Sequence, residues 1–449
     1  MRLRLPHPLI LLLAGVALAA MVTWILPAGA YDRRTDPATG RQVVVAGTYH
    51  RIDPSPVGPF RAVVSVPLGF AEAAEVIGVV LFVGGAWIVL DRIGTLGRLV
   101  AFLVARFQRR GLIAIPVIAS FFAVMGALEN MQEEIIPLVP VLLLLGRGLG
   151  VDAVTVVSMS AGAAMIGSAF GPTNPFQAGI AMKLAHLAPA SGGALRIAMF
   201  LAAFALWIGW TLRHASRTRV AEVRSAELRN LGTPEPRNLR RDVITFLLLL
   251  SPMAAYVYGV TALGWGFNEL SAGFLVAGVA AGLVGGLGVE GTTNAYLEGM
   301  QSLLPAALLV GVARSISVVL ADGRVIDTIL QGLAEPLAHA GPTSAALMMI
   351  PFHALVHVLV PSVSGQAVLT MPVLVPLSDL LAISRQVTVL AYQTGAGLCE
   401  LLTPTNGGLM AVLLAAGVSY QSWLRFAVVG TGLCLLVGIA GMLAAMSMR

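Results

Sequence analysis

The sequence predicts an all-α polytopic membrane protein of two inverted repeats, with about nine transmembrane helices, two re-entrant hairpins and two unwound helices. Three observations predict it. Of 449 residues, 57% are apolar and 11% are charged, against about 25% charged in an ordinary soluble domain. So little charge cannot coat a water-soluble particle, whereas a lipid-facing surface needs none, and the bilayer is the solvent. Apolar segments recur along almost the whole chain. A shift of 232 residues then lays Pro140 on Pro372, Pro172 on Pro404, Thr173 on Thr405 and Asn174 on Asn406.

Arg2, Arg4, an apolar run from Leu9 and the small residues Ala28 and Ala30 resemble a cleavable signal. Leu9 to Leu26 exceeds the ~7 to 15 residues of a signal core. The run reads as an uncleaved first helix with Arg2 and Arg4 inside the cell. A polar stretch from Tyr31 to about Arg61 follows, with the strand-like "QVVVAGTY", and is expected in the periplasm; with the first helix it makes a segment 1–70.

The first inverted repeat, 71–212, holds apolar segments at about 76 to 90, 111 to 128, 135 to 149, 152 to 169, 176 to 188 and 194 to 212. A basic linker, 213–242, carries Arg213, Arg217, Arg219, Arg224, Arg229, Arg237, Arg240 and Arg241. The second half, 243–449, has segments at about 243 to 262, 270 to 288, 300 to 320, 343 to 360, 366 to 382, 386 to 402, 408 to 418 and 423 to 447. A helix needs about 20 residues to cross the hydrocarbon. Shorter runs paired about a polar tip therefore read as re-entrant hairpins, Gly111 to Gly150 around "LENMQEE" and Gly341 to Ala382 around "PSVSGQ".

Charge sets the orientation. Arg98, Arg106, Arg109 and Arg110 fall on the side of Arg2 and Arg4, as does the linker, which the positive-inside rule makes cytoplasmic. The first hairpin then enters from the cytoplasm and the second from the periplasm, with 91 to 110 and 322 to 340 along opposite interfaces of a bacterial inner membrane. The net charge of +6 reflects these determinants. The basic stretch has no interleaved aromatics, so no nucleic-acid partner is expected; the partners are membrane lipid and a small molecule. Cys399 and Cys434 form no CxxC, and no disulfide, zinc site or other cofactor is expected.

The chemistry concentrates where helices break. "SAFGPTNPF" at 168 to 176 and "LLTPTNGGL" at 401 to 409 interrupt equivalent helices of the two halves. Proline removes an amide donor and disfavours helix before it, so the chain unwinds and frees carbonyls. At membrane depth such backbone must be buried in protein or line a cavity, and half-helix ends suit ions and polar solutes. Ser168, Thr173, Asn174, Thr403, Thr405 and Asn406 supply polar side chains there. The bland alternative is a proline kink patched by its own Thr and Asn. The tips add Glu129, Asn130, Gln132, Glu133 and Glu134 in one half and Ser362, Ser364 and Gln366 in the other.

Glu400, in an otherwise apolar helix, is a candidate proton carrier, cation ligand or partner of a substrate amine; its structural alternative is a pair with Arg314. His353 and His357 lie at helical i, i+4 spacing with no carboxylate between them, which favours packing or interhelical hydrogen bonds over metal binding, with a proton relay next.

"GSAFGPTNPFQAGIAMKLAHL", "TPTNGGLMAVL" and "SGQAVLTMPVLVPLSDLLAISRQ" resemble the C4-dicarboxylate anaerobic carrier (DcuC/YfcC-type) family, with similarity from about residue 5 to 440. That group is similar to the wider ion transporter superfamily. The resemblance implies two re-entrant hairpins, a homodimer and a mobile transport domain, hence an elevator mechanism. It also implies that tips and breaks hold substrate and sodium. Superfamily tips often read Ser-Asn-Thr, whereas here they read "ENMQEE" and "SVSGQ". The coupling ion therefore stays open between Na+ and H+, with any Na+ at the same residues.

The expected function is secondary active transport of a small carboxylate-bearing solute, a C4-dicarboxylate or an amino acid, ion- or proton-coupled or exchanging. A channel would need a continuous hydrated path. An intramembrane enzyme would need a nucleophile with a base, or a metal motif such as HExxH, and none is present. Neutral Thr, Asn and Ser groups with helix N-termini suit a carboxylate, while Glu129, Glu133, Glu134 and Glu400 suit an amine or guanidinium.

Overall fold

Proline and small polar caps set most of the helix starts. The computed structural model describes residues 7–37, 42–96, 98, 111–172, 174–188, 191–218 and 239–447. Helix α1, Pro8–Ile25, starts on a proline at its first turn, and His7 Nδ1 accepts from the Leu9 amide. The polar stretch after it forms two small antiparallel pairs. β1 (Gly29–Ala30) pairs with β4 (His50–Arg51), and β2 (Arg33–Thr35) pairs with β3 (Gln42–Val44), Arg33 opposite Val44. The all-α expectation thus gains a minor strand region where "QVVV" was read as strand-like.

The segment expected at 76 to 90 is longer than its apolar run. α2, Pro59–Glu72, leads into α3, Ala74–Arg92, through a kink at Ala73. Arg61, Pro67 and Glu72 dilute the hydropathy of α2, which hid it from an apolar scan. The expected boundary at 70 falls inside this helix.

Both expected hairpins form as helix pairs. α4 (Gly111–Glu129) and α5 (Val139–Leu149) flank a tip whose 3₁₀ turn covers Glu133–Leu138. α6 runs Ala153–Phe170, breaks, and resumes through the π-helical turn Pro175–Gly179 into α7, Ile180–Leu184. α8 is Gly193–Arg217. The basic linker from 219 to 238 lies outside the described residues, as do Arg106, Arg109 and Arg110.

In the second half, α9 is Leu239–Tyr258, α10 Phe267–Gly285 and α11 the 35-residue Gly288–Asp322. α12 (Ile326–Ala338) occupies the stretch expected at an interface. α13 (Pro342–Leu359) and α14 (Val363–Leu380) form the second hairpin. α15 (Arg385–Cys399) breaks before α16 (Gly407–Ala415), and α17 is Tyr420–Ser447.

Nine helices among the described residues are long and apolar enough to cross a membrane. Nine is the number expected, although length and apolarity select a partly different set. The set contains the hairpin arms α13 and α14, whereas α9, whose first turn is charged, and the 15-residue α15 fall outside it.

Ion pairs gather at the two ends of the bundle. At one end Asp327 accepts from the Tyr31 amide at 3.0 Å and from Arg33 Nη2 on both oxygens, and Asp322 pairs with Arg61. At the other end Arg98 Nε reaches Asp242 at 2.7 Å and Arg241 Nε reaches the Val284 carbonyl at 2.8 Å.

Two groups of helices emerge from the packing. α11 runs along α1, α2, α3 and α10, with α9 packed on α10. The second group packs α4 on α6, α13 on α15 and α8 on α17, with α15 also touching α6 and α17. Close approach holds it together: a Cβ added to Gly126 or Gly167 would lie within 2.0 Å of the Ala164 or Ala123 carbonyl, respectively. Small residues permit such backbone contact, which replaces hydrophobic drive inside lipid. The groups meet where α11 packs on α16 and α3 on the first hairpin tip.

Candidate functional site

The two Pro-Thr-Asn words break their helices as the sequence implies, and each asparagine restarts one. Asn174 Oδ1 accepts from the amides of Phe176 and Gln177 at 3.0 and 2.8 Å, capping the π-turn. Asn406 Oδ1 accepts from Leu409 N at 3.1 Å, capping α16. Capping satisfies donors that a helix start leaves orphaned. Both acceptor oxygens expected to face a solute therefore already hold backbone.

The Asn174 amide nitrogen is equally committed. It donates to Gly126 O at 2.9 Å, Asn130 Oδ1 at 3.1 Å and Ser168 Oγ at 3.2 Å, while Ser168 itself donates to Asn130 Oδ1. Asn130 has a left-handed φ of 62°, a conformation asparagine tolerates. Gln177 joins them in the amide orientation that satisfies both ends: Nε2 donates to Ser168 O and Oε1 accepts from Gly397 N. The carbonyl that the break frees at Gly171 accepts from Gln393 Nε2, and Gln393 is gripped by the buried Arg196. The first break is thus a closed polar knot tied to α15. Thr173 lies outside the described residues.

The second break is more open. Thr405 Oγ1 donates to Val358 O at 2.7 Å and lies 2.8 Å from Thr403 Oγ1, while Asn406 Nδ2 reaches back to Glu400 O at 3.3 Å. Glu400 is buried at 5% exposure, and Gln132 Nε2 donates to its Oε2 at 2.6 Å. Its structural alternative, a pair with Arg314, does not form: Arg314 Nε meets Glu72 Oε2 at 2.9 Å instead.

Gln366 sits behind the second tip between the two buried histidines. Its Nε2 donates to His353 O at 2.8 Å, which turns Oε1 toward His357 Nδ1 at 2.9 Å. The amide orientation thus assigns the proton of neutral His357 to Nδ1. His357 Nε2 is then a bare acceptor, without a hydrogen bond, 3.9 Å from Glu400 Oε1. The i, i+4 histidines serve interhelical hydrogen bonding, as their spacing without a carboxylate suggested, and His357 also looks onto Glu400.

These groups surround a cavity of about 350 Å³ between the two helix groups. Its wall from the first group includes Glu72, Val76, Phe267 and Arg314. The opposite wall includes Asn130, Gln132, Glu133, Ser362, Ser364, Glu400, Thr405 and Asn406. Of the expected site residues, Asn130, Glu133, Ser362, Ser364, Glu400, Thr405 and Asn406 reach the cavity. Ser168, Asn174, Gln366 and Thr403 lie behind it as supports. Ser362 caps α14 by accepting from Gly365 N, and α14 and α16 both begin at this wall.

The cavity's size suits a small molecule. Three acids, Glu72, Glu133 and Glu400, line it with one base, Arg314. Sequence reasoning did not select Glu72, Arg314, Phe176 or Phe267. A charge within an apolar helix was the available signal for Arg314, whereas α2 was not recognised at all. Among the described residues, no cluster of three or more His, Cys, Asp or Glu gathers as a metal site would.

Comparison with known proteins gives a consistent set of likenesses. The family profile of the C4-dicarboxylate anaerobic carriers matches residues 5–447. A protein of Escherichia coli K12 bearing the name "Putative basic amino acid antiporter YfcC" is 29% identical, over 94% of this chain and 93% of its own. An uncharacterized protein of Haemophilus influenzae is 25% identical over 96% and 95%. Among solved structures, the YdaH transporter of Alcanivorax borkumensis, described as having an unusual topology, is 19% identical with a TM-score of 0.46, covering 97% of this chain and 98% of its own.

Proposed function

The chain belongs to the C4-dicarboxylate anaerobic carrier family of membrane transporters, and from that premise we propose that it is a secondary active carrier, not an enzyme, for a small solute with both a carboxylate and a cationic group. The observation that carries this reading is the cavity between two helix groups. Both helix N-termini and the one lining base suit a carboxylate, and the three acids suit an amine or guanidinium. A C4-dicarboxylate would bring two more negative charges beside Glu72, Glu133 and Glu400, which disfavours it unless protons or Na+ neutralise them. A basic amino acid meets both sets of groups. The name of the E. coli relative points the same way.

The transport cycle we propose is an elevator. The group built on α11 stays fixed, paired with a second copy in a homodimer, and the group holding both hairpins and both breaks carries the solute. The first hairpin opens to the cytoplasm and the second to the periplasm. The separation into two helix groups with the cavity between them supports this cycle.

Coupling is assigned to a proton at Glu400. With Nδ1 of His357 protonated toward Gln366, Nε2 and Glu400 Oε1 face each other as two acceptors, and one proton between them resolves the repulsion. Sodium held at the tips and breaks is the second reading, favoured by the family resemblance alone. Counterflow in proteoliposomes tests the function. Preloaded L-arginine or L-lysine should accelerate uptake of the labelled amino acid in a saturable way. Uptake that grows linearly with concentration, without acceleration, would indicate a channel.

A further inference from the structure

Among the described residues Arg314 is the one base lining the cavity, and its hold on Glu72 is incomplete. A guanidinium offers five N–H donors and commonly grips a carboxylate with two. Here Nε alone engages Glu72 Oε2, and the two side chains are 39% and 48% exposed. Arg314 lies eight residues before the end of α11, about 12 Å along the axis. A charge retained within the apolar stretch of a helix marks a functional group by default.

The neighbourhood identifies what it would hold. Arg314 and Glu72 also line a second cavity of about 520 Å³, and Ser362 and Ser364 line both. Arg314 therefore stands where the two spaces adjoin, across from the first turn of α14. A carboxylate placed there would meet a guanidinium on one side and hydroxyls with a helix N-terminus on the other. Among the described residues, no other base lines either cavity.

We propose that Arg314 is the carboxylate anchor of the solute site and that Glu72 is its internal stand-in when the site is empty. The inference rests on the amino-acid reading above and deepens it. An arriving carboxylate displaces Glu72 from Arg314 and lies between Arg314 and the Ser362–Ser364 turn, with its cationic group toward Glu133. Because Arg314 belongs to one helix group and the serines to the other, the carboxylate links the two groups, and a solute lacking it does not. When the groups part, Glu72 takes Arg314 back.

The test compares probes that differ only in the carboxylate. Binding of L-arginine and agmatine, and of L-lysine and cadaverine, is measured on purified protein by calorimetry for wild type, Arg314→Gln, Arg314→Lys and Glu72→Gln. Arg314→Gln should weaken the amino acids by roughly tenfold or more while leaving the amines within about twofold, since one charge-assisted bond exceeds 1.4 kcal/mol. Arg314→Lys should fall between, and Glu72→Gln should tighten the amino acids by removing their competitor. Equal losses for amino acids and amines, or equal weakening in Arg314→Gln and Glu72→Gln, would make the pair structural and overturn the proposal. Wild-type binding of neither amino acid would overturn the functional reading. Amino acids held equally by wild type and Arg314→Gln would overturn the anchor alone. Should Arg314→Gln fail to fold, Arg314→Lys and Glu72→Gln decide the matter by moving the amino acids in opposite directions, or by failing to.

Discussion

Gln132, at the tip of the first hairpin, donates a 2.6 Å hydrogen bond to Glu400, 268 positions later at the end of α15. The bond joins a tip from one half to a break in the other. Removing Gln132 would leave a buried carboxyl oxygen without its donor, a loss of about 1 to 3 kcal/mol. Gln132→Ala should lower the denaturation midpoint in detergent, and Gln132→Glu, which sets two acids face to face, should lower it further at neutral pH. Midpoints equal to wild type in both variants would show that this contact contributes nothing.

Asn174 and Asn406 separate capping from solute binding. Serine also caps helices well, so Asn406→Ser should keep α16 in place while Asn406→Ala costs about 1 kcal/mol. If Asn406 contacts the solute, neither variant restores uptake; if it only caps, serine rescues it. Asn174 makes five hydrogen bonds, which tie the first break to α4 and its tip, so Asn174→Ala should destabilise more than Asn406→Ala. Thermal unfolding and uptake measured on the same preparations distinguish these outcomes.

The breaks were legible because proline and glycine act locally and because the same word recurs at a fixed offset. The tips were legible as polar interruptions between short apolar runs. The division of labour inside each break was not. Whether Asn174 faces a cavity or knots itself to Asn130 and Ser168 depends on how closely Gly126 and Gly167 let α4 and α6 approach, a distance no spacing encodes. The Arg314 and Glu72 pair was hidden for a related reason. Glu72 ends a helix whose Arg61 and Pro67 make it read as loop, and it reaches Arg314 only after the kink at Ala73.

Acid should loosen the far end of the first hairpin. Burial alone would raise the Asp152 carboxyl, but hydrogen bonds from His214 and Thr155 outweigh it and hold the group below the usual carboxylate range. A depressed folded value means stability that is present above the unfolded value of about 3.9 and lost as pH falls through the folded one. Asp152→Asn retains a helix cap and removes the titration. Its unfolding midpoint should therefore lie below that of wild type at pH 7 and approach it toward pH 3. A constant difference across that range would assign the effect to the cap.

Sidedness can be read with cysteines in a background where Cys399 and Cys434 are replaced. A cysteine at Asp53, on the face carrying the strands, should react with an impermeant maleimide in intact cells. One at Glu227, in the linker outside the described residues, should react only after lysis. The reverse pattern would invert the proposed membrane orientation and with it the assignment of the hairpins.

The coupling proton gives the most direct test of mechanism. Glu400 lines the cavity, accepts from Gln132 on one oxygen and faces His357 Nε2 with the other. Glu133, on the tip of the first hairpin, also lies near it, as do Tyr392 and Cys399 on α15. Glutamine at this position preserves size and can still accept from Gln132, but it can neither take up nor release a proton. Glu400→Gln should therefore lose accumulation driven by an imposed pH gradient yet keep solute exchange, because exchange needs binding and movement without net proton release. His357→Gln should weaken gradient-driven accumulation without abolishing exchange, since the carboxyl remains. Gradient-driven uptake by Glu400→Gln at the wild-type level would remove the carboxyl from the proton path. A strict sodium requirement in wild type, with no response to pH, would reassign Glu400 as a ligand for the cation or for the solute's amine.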